Sequence, residues 1–458
     1  MLLESFLDIV SGWQSVFPQT RTYQRGVRQG LGSLVCLGRR TLSRIIWTNG
    51  GAQRSWSGEY FLHSRCQWEA AKLFRPILAK AHPWCTGRLV GVAVDETRVR
   101  KTGRRIQQAF YQRDPMSPPF HCNLMLGLRF LQASLLVPLH RQAAVSCRSL
   151  PVRFEEVSTL KKPSGKLSDE EWKQFRKQKK LYTVSHRLVT LIPPLRKELD
   201  EVGGSHQIMV LAVDGSFCNR IVFSAPRDRT ELIARARKDA VLCFPDTSNS
   251  RRVYSREKFT PESVRQDESI PWETTKIFYG GKRRKVRYKE VPDVLWQGGA
   301  RRLPLRLIVV APTPYRKIKS GRTYYRQPSF LLTTDCRSKV RGLLQIYFDR
   351  WQIEVNHREE KDTLGVGQAQ LWNETSVPKQ PALTVAAYSA MLLASLLAFG
   401  AKRNDVYAPL PKWRRHAQRP SCLDLVALLR KEMAEHHEIL APFKLFLDNR
   451  QLTAAADA

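Results

Sequence analysis

The chain is short of acid. Its 458 residues hold 41 Asp and Glu against 76 Lys and Arg, a net charge of +35. Paired cysteines are also missing: nine are present, at 36, 66, 85, 122, 147, 218, 243, 336 and 422, with no Cys-x-x-Cys among them. That leaves no zinc spacing, argues against Cys/His metal chemistry, and makes a reduced intracellular compartment the default expectation. The start, MLLESFLDIV, lacks a basic n-region, so no signal peptide is expected. Internal repeats, low-complexity blocks and lipidation motifs are absent as well. Long apolar runs are nearly so. Only 382–401, ALTVAAYSAMLLASLLAFGA, is uncharged over the length of a membrane span. It is rich in Ala and Ser and stands alone in a very basic chain, so it is read as a buried helix packed on the main core.

Hydrophobic residues make up 42%, enough for a sizeable core, which excludes a disordered polycation. The length allows roughly two to four structural units. An excess of positive charge spread along a globular chain calls for a polyanionic partner with a long contact surface. Nucleic acid fits better than a membrane, because no basic amphipathic anchor is present. The bland alternative is a merely basic or ribosome-associated protein.

Residues 1–88 read as helical. Two short apolar-periodic segments, 23–37 and 39–47, meet near Gly38, and the second (RRTLSRIIW) has the composition of a helix that can lie against DNA. A further amphipathic helix is expected over 61–81, stopped by Pro83. The run at 89–94 reads as a strand ending in Asp95. Further strands are expected at 107–113 and at 124–130 with 135–139. Residues 151–205 are polar and basic, with helices near 169–180 and 184–199. A second buried strand, 208–213, ends in Asp214. A helix is expected over 231–238 and a strand over 240–244. Residues 246–330 hold many β-formers, Gly-Gly turns at 280–281 and 298–299, and basic clusters such as KRRKVRYK (282–289). A short core strand at 331–333 and a helix at 340–361 follow, and 375–458 is mostly helical.

Chemistry concentrates in YFDRWQIEVNHREEK, 347–361. On a helix, Tyr347, Arg350, Glu354 and Lys361 fall within about 60° of one another. One face then carries a carboxylate flanked by two cations and a phenol. A carboxylate can hold a divalent metal, and Arg, Lys and Tyr can grip phosphate oxygens. By itself such a segment is most often a surface helix of mixed charge. Two matched runs shift the balance: VAVD ends at Asp95 and LAVD ends at Asp214. A lone strand-end aspartate is usually a turn or cap residue. Two on neighbouring strands can converge at a sheet edge, and Glu354 would complete a three-carboxylate pocket. Three carboxylates repel unless cations neutralise them. Two Mg²⁺ ions, with Mn²⁺ as a substitute, would do so. Metals about 4 Å apart can activate a water or a 3′-hydroxyl and stabilise the leaving oxygen. Asp114, Asp246 and Asp335 rank lower, because the runs before them are less strand-like or fall out of order.

The order Asp95, Asp214, Glu354 with Y-x2-R-x3-E-x6-K at Tyr347, Arg350, Glu354 and Lys361 resembles the DDE insertion-sequence transposases that carry a YREK signature. LGVGQAQLW (364–372) also looks like the region after their catalytic helix, so the resemblance spans 89–400. It implies an α/β, ribonuclease H-like catalytic core (89–245 and 331–374). A β-rich insertion (246–330) would interrupt it, between a helical terminal-repeat-binding region (1–88) and a helical C-terminal region serving synapsis (375–458). It further implies Mg²⁺-dependent cut-and-paste transposition at terminal inverted repeats. Asp95, Asp214 and Glu354 would be the catalytic metal ligands. Tyr347, Arg350 and Lys361 would contact DNA phosphates. Part of this group flips a base onto a tryptophan; Trp296 and Trp272 are candidates, with Trp351 pointing off the helix face, and each is otherwise a core residue. Where a second aspartate often follows the first, this chain has Glu96. Expected partners are double-stranded DNA, as transposon ends and target, and a second copy of the chain in the synaptic complex. The expected location is the bacterial cytoplasm at the nucleoid. Two alternatives stay open: a nuclease of the same fold that cuts without joining, and a non-catalytic DNA-binding derivative.

Overall fold

The run LVGVAVDETRVR forms strand β1 (Leu89–Arg100). The computed structural model describes the chain apart from residues 51–55, 119, 164, 166–167, 247–250, 319, 415 and 446–458. β1 does not end at Asp95, as the sequence suggested. Its antiparallel pairing with β3 (Leu124–Val137) runs through Asp95↔Gln132 to Arg100↔Gly127. Its parallel pairing with β5 (Ile208–Val213) stops at Val94↔Val213. Asp95 thus marks the point where β1 loses one neighbour and keeps the other.

The fold is mixed α/β, with one ten-stranded mixed sheet flanked by helices. β3 is a single strand over the span read as a strand or hairpin, because it is paired on both edges. β1 takes one edge; β2 (Phe110–Arg113) and β4 (Arg148–Glu156) share the other. β4 was not expected, since Pro151 breaks its pattern. A register shift opposite Ala133/Ser134 accommodates that proline. On the other side of β1 the order is β5, β6 (Thr230–Arg235), β12 (Ser329–Thr333), β9 (Pro304–Val310), β8 (Lys282–Leu295) and β7 (Glu273–Tyr279). The region read as β-rich therefore feeds three strands into the same sheet. β10 (Pro314–Arg316) and β11 (Thr323–Tyr325) form a separate ribbon.

Three more expectations change. The helix expected over 231–238 is strand β6, held between β5 and β12; Leu232, Ile233 and Ala234 are all buried. A central strand covered on both faces has no alternation to read, and strand pairing overrides helix propensity. The strand expected over 240–244 reduces to bridges at Leu242 and Cys243. The helix expected over 61–81 is broken into Ser57–Ser64, a 3₁₀ turn Ala70–Phe74, and Arg75–Ala81. The break lets Trp68 turn into the core and donate its indole N–H to the Leu62 carbonyl at 2.7 Å. The helical pair around Gly38 is present as Thr20–Val35 and Leu42–Thr48.

The apolar run forms the helix Ser376–Phe399, the one described helix long and apolar enough to cross a membrane; 83% of its apolar window is buried inside the fold. It packs against the N-terminal helix Leu2–Ser11 and β4. The Glu432 carboxylate, on the helix Cys422–Glu435, accepts the backbone N–H groups of Leu2 and Leu3, at 3.1 and 2.7 Å. A carboxylate at a helix N-terminus satisfies orphan donors and complements the dipole. The helices Leu2–Ser11 and Cys422–Glu435 are thereby tied together.

Candidate active site on the helix 340–363

The sheet has two inner faces. Val90, Val92 and Val94 of β1 and Met209, Leu211 and Val213 of β5 face one core, while Ala93, Val210 and Ala212 face the other. Strand alternation then puts Asp95 and Asp214 on the second face. They directly follow the last parallel pair, Val94↔Val213. Both sequence-predicted aspartates share one end of the sheet and one face of it.

That face is covered by the segment expected as one helix. It is two α-helices, Val340–Asp349 and Gln352–Arg358, with a tighter step at Arg350–Trp351 and a π-turn at Glu359–Thr363. The tighter step shows in i→i+3 bonds from Ile353 to Arg350 and from Glu354 to Trp351. The helix rides along β1 in the same direction. Gly342 sits over Leu89, and Ile346 sits over Gly91. Four helical residues advance about 6 Å and two strand residues about 6.6 Å, so the two elements stay in step. In that register the next turn brings Arg350 level with Ala93, and the one after brings Glu354 level with Asp95. Gly91 makes this close approach feasible. A β-carbon there would lie 3.0 Å from Ile346 Cγ2.

The electrostatics agree with the register. The Asp95 carboxyl is raised to about 7, first by burial and then by the Asp214 charge, with Arg350 opposing and Glu354 adding a smaller push. Glu354 is raised by burial and by Asp214 and lowered by Arg350. Arg350 places a guanidinium nitrogen 3.6 Å from the Glu354 carboxylate, with its side chain 13% exposed against 37% for Glu354. Its guanidinium also lies 5.7 Å from the centre of the Tyr347 ring. Burial raises the Tyr347 phenol, opposed by the charges of Arg350 and Arg235. Lys361, farther along, is lowered by burial and supported by Glu360, Asp362 and Asp95. The six residues Asp95, Asp214, Tyr347, Arg350, Glu354 and Lys361 therefore form one electrostatic cluster.

Local bonds orient the acids. Asp95 Oδ1 accepts the Glu96 N–H at 2.8 Å. Asp214 Oδ1 accepts the Ser216 N–H at 2.9 Å and its hydroxyl at 2.6 Å, capping the 3₁₀ turn Gly215–Phe217. Asp214 is a cap residue and a site residue at once. Among the described residues, no three His, Cys, Asp or Glu side chains stand grouped to grasp one ion. The donor chemistry would suit one: Asp95, Asp214 and Glu354 offer hard oxygen ligands, and the Asp214 charge raises the other two carboxyls.

The other acids are engaged elsewhere. Glu96 pairs with Arg98 at 2.9 Å and Arg129 at 3.7 Å. Asp114 pairs with Arg100, Asp335 is buried against Arg306, and Asp246 lies beside the Pro245↔Tyr254 bridge. Trp296 packs edge-on against Phe223 at 5.8 Å. It and Trp272 border the core on the sheet face away from the helix, so neither stands beside the carboxylates. Trp351 is 57% exposed next to Arg350.

Two groups were not found from sequence. Arg235, at the end of β6, reaches the Tyr347 phenol electrostatically and lines a cleft of about 700 Å³ next to Gly215 with Arg237, Lys238 and Arg265. Reading 231–238 as a helix hid it; the strand-like LIA before it was the available signal. Lys101 is buried and donates to the carbonyls of Gly367 and Ala369 at 2.8 and 2.7 Å. It fastens the loop after the helix to the end of β1. Gly367, at φ +93°, lies so close to Val99 that no side chain fits. Compared with known proteins, the chain matches no family model and no curated protein.

Proposed function

We propose that this protein is a DDE-type DNA transposase with a ribonuclease H-like core, carrying out metal-dependent cleavage and strand transfer at the ends of an insertion sequence. The observation that carries this is the register at Val94↔Val213. It brings Asp95 and Asp214 together under a helix whose next turns supply Arg350 and Glu354. The resemblance in motif order supplies the reaction class, and the +35 charge suits a DNA substrate.

Asp95, Asp214 and Glu354 would hold Mg²⁺, which supplies Lewis-acid stabilisation of the attacking and leaving oxygens. The chain's own residues do the positioning. Arg350 holds Glu354 in place and offsets the negative charge around Asp95. Tyr347, on the same face, and Lys361 present a donor and a cation to phosphate oxygens. Arg235 and its cleft give the DNA strand a basic approach to Asp214. The surrounding burial keeps water from screening these charges.

The test uses purified protein, Mg²⁺, and labelled DNA carrying the element's flanking inverted repeat, with a supercoiled target. Cleavage followed by joining supports the proposal. Cleavage without joining makes the protein a nuclease, and binding without cleavage makes it a non-catalytic DNA binder. Activity surviving in Asp214→Ala would remove that residue from the site.

A further inference from the structure

The β7–β8 hairpin has two unlike faces. Ile277, Val286 and Tyr288 turn inward onto the helix Val340–Asp349. Alternation sends Lys276, Arg283, Lys285 and Arg287 to the opposite face, and all four are exposed. In β8 the last three recur about every 7 Å, two strand steps apart. Lys276 lies directly opposite Lys285 in the ladder. A like-charge cross-strand pair destabilises a sheet, and no carboxylate among the described residues lies within salt-bridge distance of any of the four. Arg287 is positioned over the Trp272 ring, 5.3 Å from its centre.

At the hairpin tip the strip opens into a cleft of about 570 Å³ lined by Phe278, Gly281, Lys282, Arg283, Lys402 and Arg403, among others, with no acid in its wall. Three separate parts of the chain build it: the tip, the segment after β3, and the segment after the helix Ser376–Phe399. Arg403 is held there by Asp424, at 3.4 Å. Lys282 and Lys402 have no such counter-charge among the described residues. The Phe278 floor is fixed by stacking on His140, 5.6 Å between ring centres.

We infer that this strip and the cleft at its tip bind the phosphodiester backbone of a nucleic-acid duplex, separately from the carboxylate end of the sheet. Opposed and regularly spaced cations on a rigid hairpin are costly alone and satisfied by a repeating anion. A single small anion would need convergence at one point; the row along β8 is instead extended. The choice of DNA as the polyanion rests on the proposed function, but the contact needs none of the carboxylate chemistry.

The experiment is a salt titration of binding to a random-sequence duplex in EDTA, where cleavage plays no part. The triple variant Lys276→Ala/Arg283→Ala/Lys285→Ala is expected to lower the slope of log affinity against log salt by about 3, one per lost phosphate contact. An unchanged slope overturns the assignment. Lys285→Thr alone guards against unfolding. It removes the Lys276–Lys285 repulsion, so its melting temperature should hold or rise while the slope falls by about 1; a slope that stays put in this variant also overturns it. Displacement of the duplex by inorganic phosphate, where chloride of equal ionic strength has no effect, would reveal a small-anion site and reject the duplex. Because no Mg²⁺ is present, these outcomes stand whether or not the protein cleaves DNA.

Discussion

Gln345 completes the open edge of β7 at Phe278. Its Oε1 accepts the Phe278 N–H at 2.7 Å, and its Nε2 donates to the Phe278 carbonyl at 2.9 Å. A side chain from the helix thus continues the sheet's hydrogen bonding. The same Nε2 donates to Asp349 at 3.1 Å, and Asp349 meets His140 at 3.0 Å, whose ring stacks on Phe278. Helix, hairpin and the turn after β3 are joined at this point.

Gln345→Ala should therefore loosen the hairpin from the helix. It strands two buried backbone groups, at a cost of about 1–3 kcal/mol. The melting temperature should fall, and amides of β7 should exchange faster with solvent than in the parent protein. Protection unchanged at Phe278 would show that the contact does not hold the edge.

Gly91→Val tests the packing of helix on strand. Its side chain meets Ile346, where even a β-carbon would stand 3.0 Å from Cγ2 and 3.3 Å from Leu136 Cδ1. The helix must shift outward, taking Arg350 and Glu354 away from Asp95. A displacement near 1 Å costs about 100-fold in rate when reacting groups must align. Cleavage should drop by that order, while duplex binding in EDTA should stay near the parent value. Equal loss of both would indicate general unfolding.

The sequence made some of this plain and concealed the rest for physical reasons. That Asp95, Asp214 and Glu354 lie in one neighbourhood was legible, because two matched apolar runs precede the aspartates and one helical spacing frames the glutamate. What local pattern could not supply was why the aspartates meet, which depends on the register Val94↔Val213. Arg235 was hidden because β6 is buried on both faces, and its ELIAR stretch has as much helical as strand character. β4 was hidden by Pro151, tolerated only through the register shift opposite Ala133/Ser134. The kinks of the helix were invisible too: nothing in YFDRWQIEVNHREEK marks a tight step at Arg350 followed by a π-turn at Glu359.

Asp95 should make the metal-free protein less stable as pH rises. Its folded carboxyl sits at about 7, above the ordinary value near 4. The unfolded chain therefore gives up this proton first, and stability is lost between about pH 4 and pH 7, then stays level. Asp95→Asn removes that loss. In EDTA the variant should be more stable than the parent at pH 8, by up to about 4 kcal/mol, and the two should converge near pH 4. Added Mg²⁺ should raise the melting temperature of the parent at pH 8 and leave that of the variant nearly unchanged. A parent curve that does not decline over this range would contradict the burial of Asp95.

Arg350 separates a working cluster from a surface helix of mixed charge. Its guanidinium holds down both Asp95 and Glu354. Metal binding requires these carboxylates ionised. Arg350→Gln keeps a polar side chain but removes the charge, so both carboxyls should rise further. The acid limb of the cleavage profile should then move to higher pH, with the lost rate partly recovered in alkaline buffer. Lys361→Ala should move it the same way by less, because Asp95 feels Arg350 more strongly, and should slow end processing more than it weakens non-specific binding. If Arg350 were only a surface cation paired with Glu354, its removal would cost about 0.5 kcal/mol of stability and leave the profile where it was.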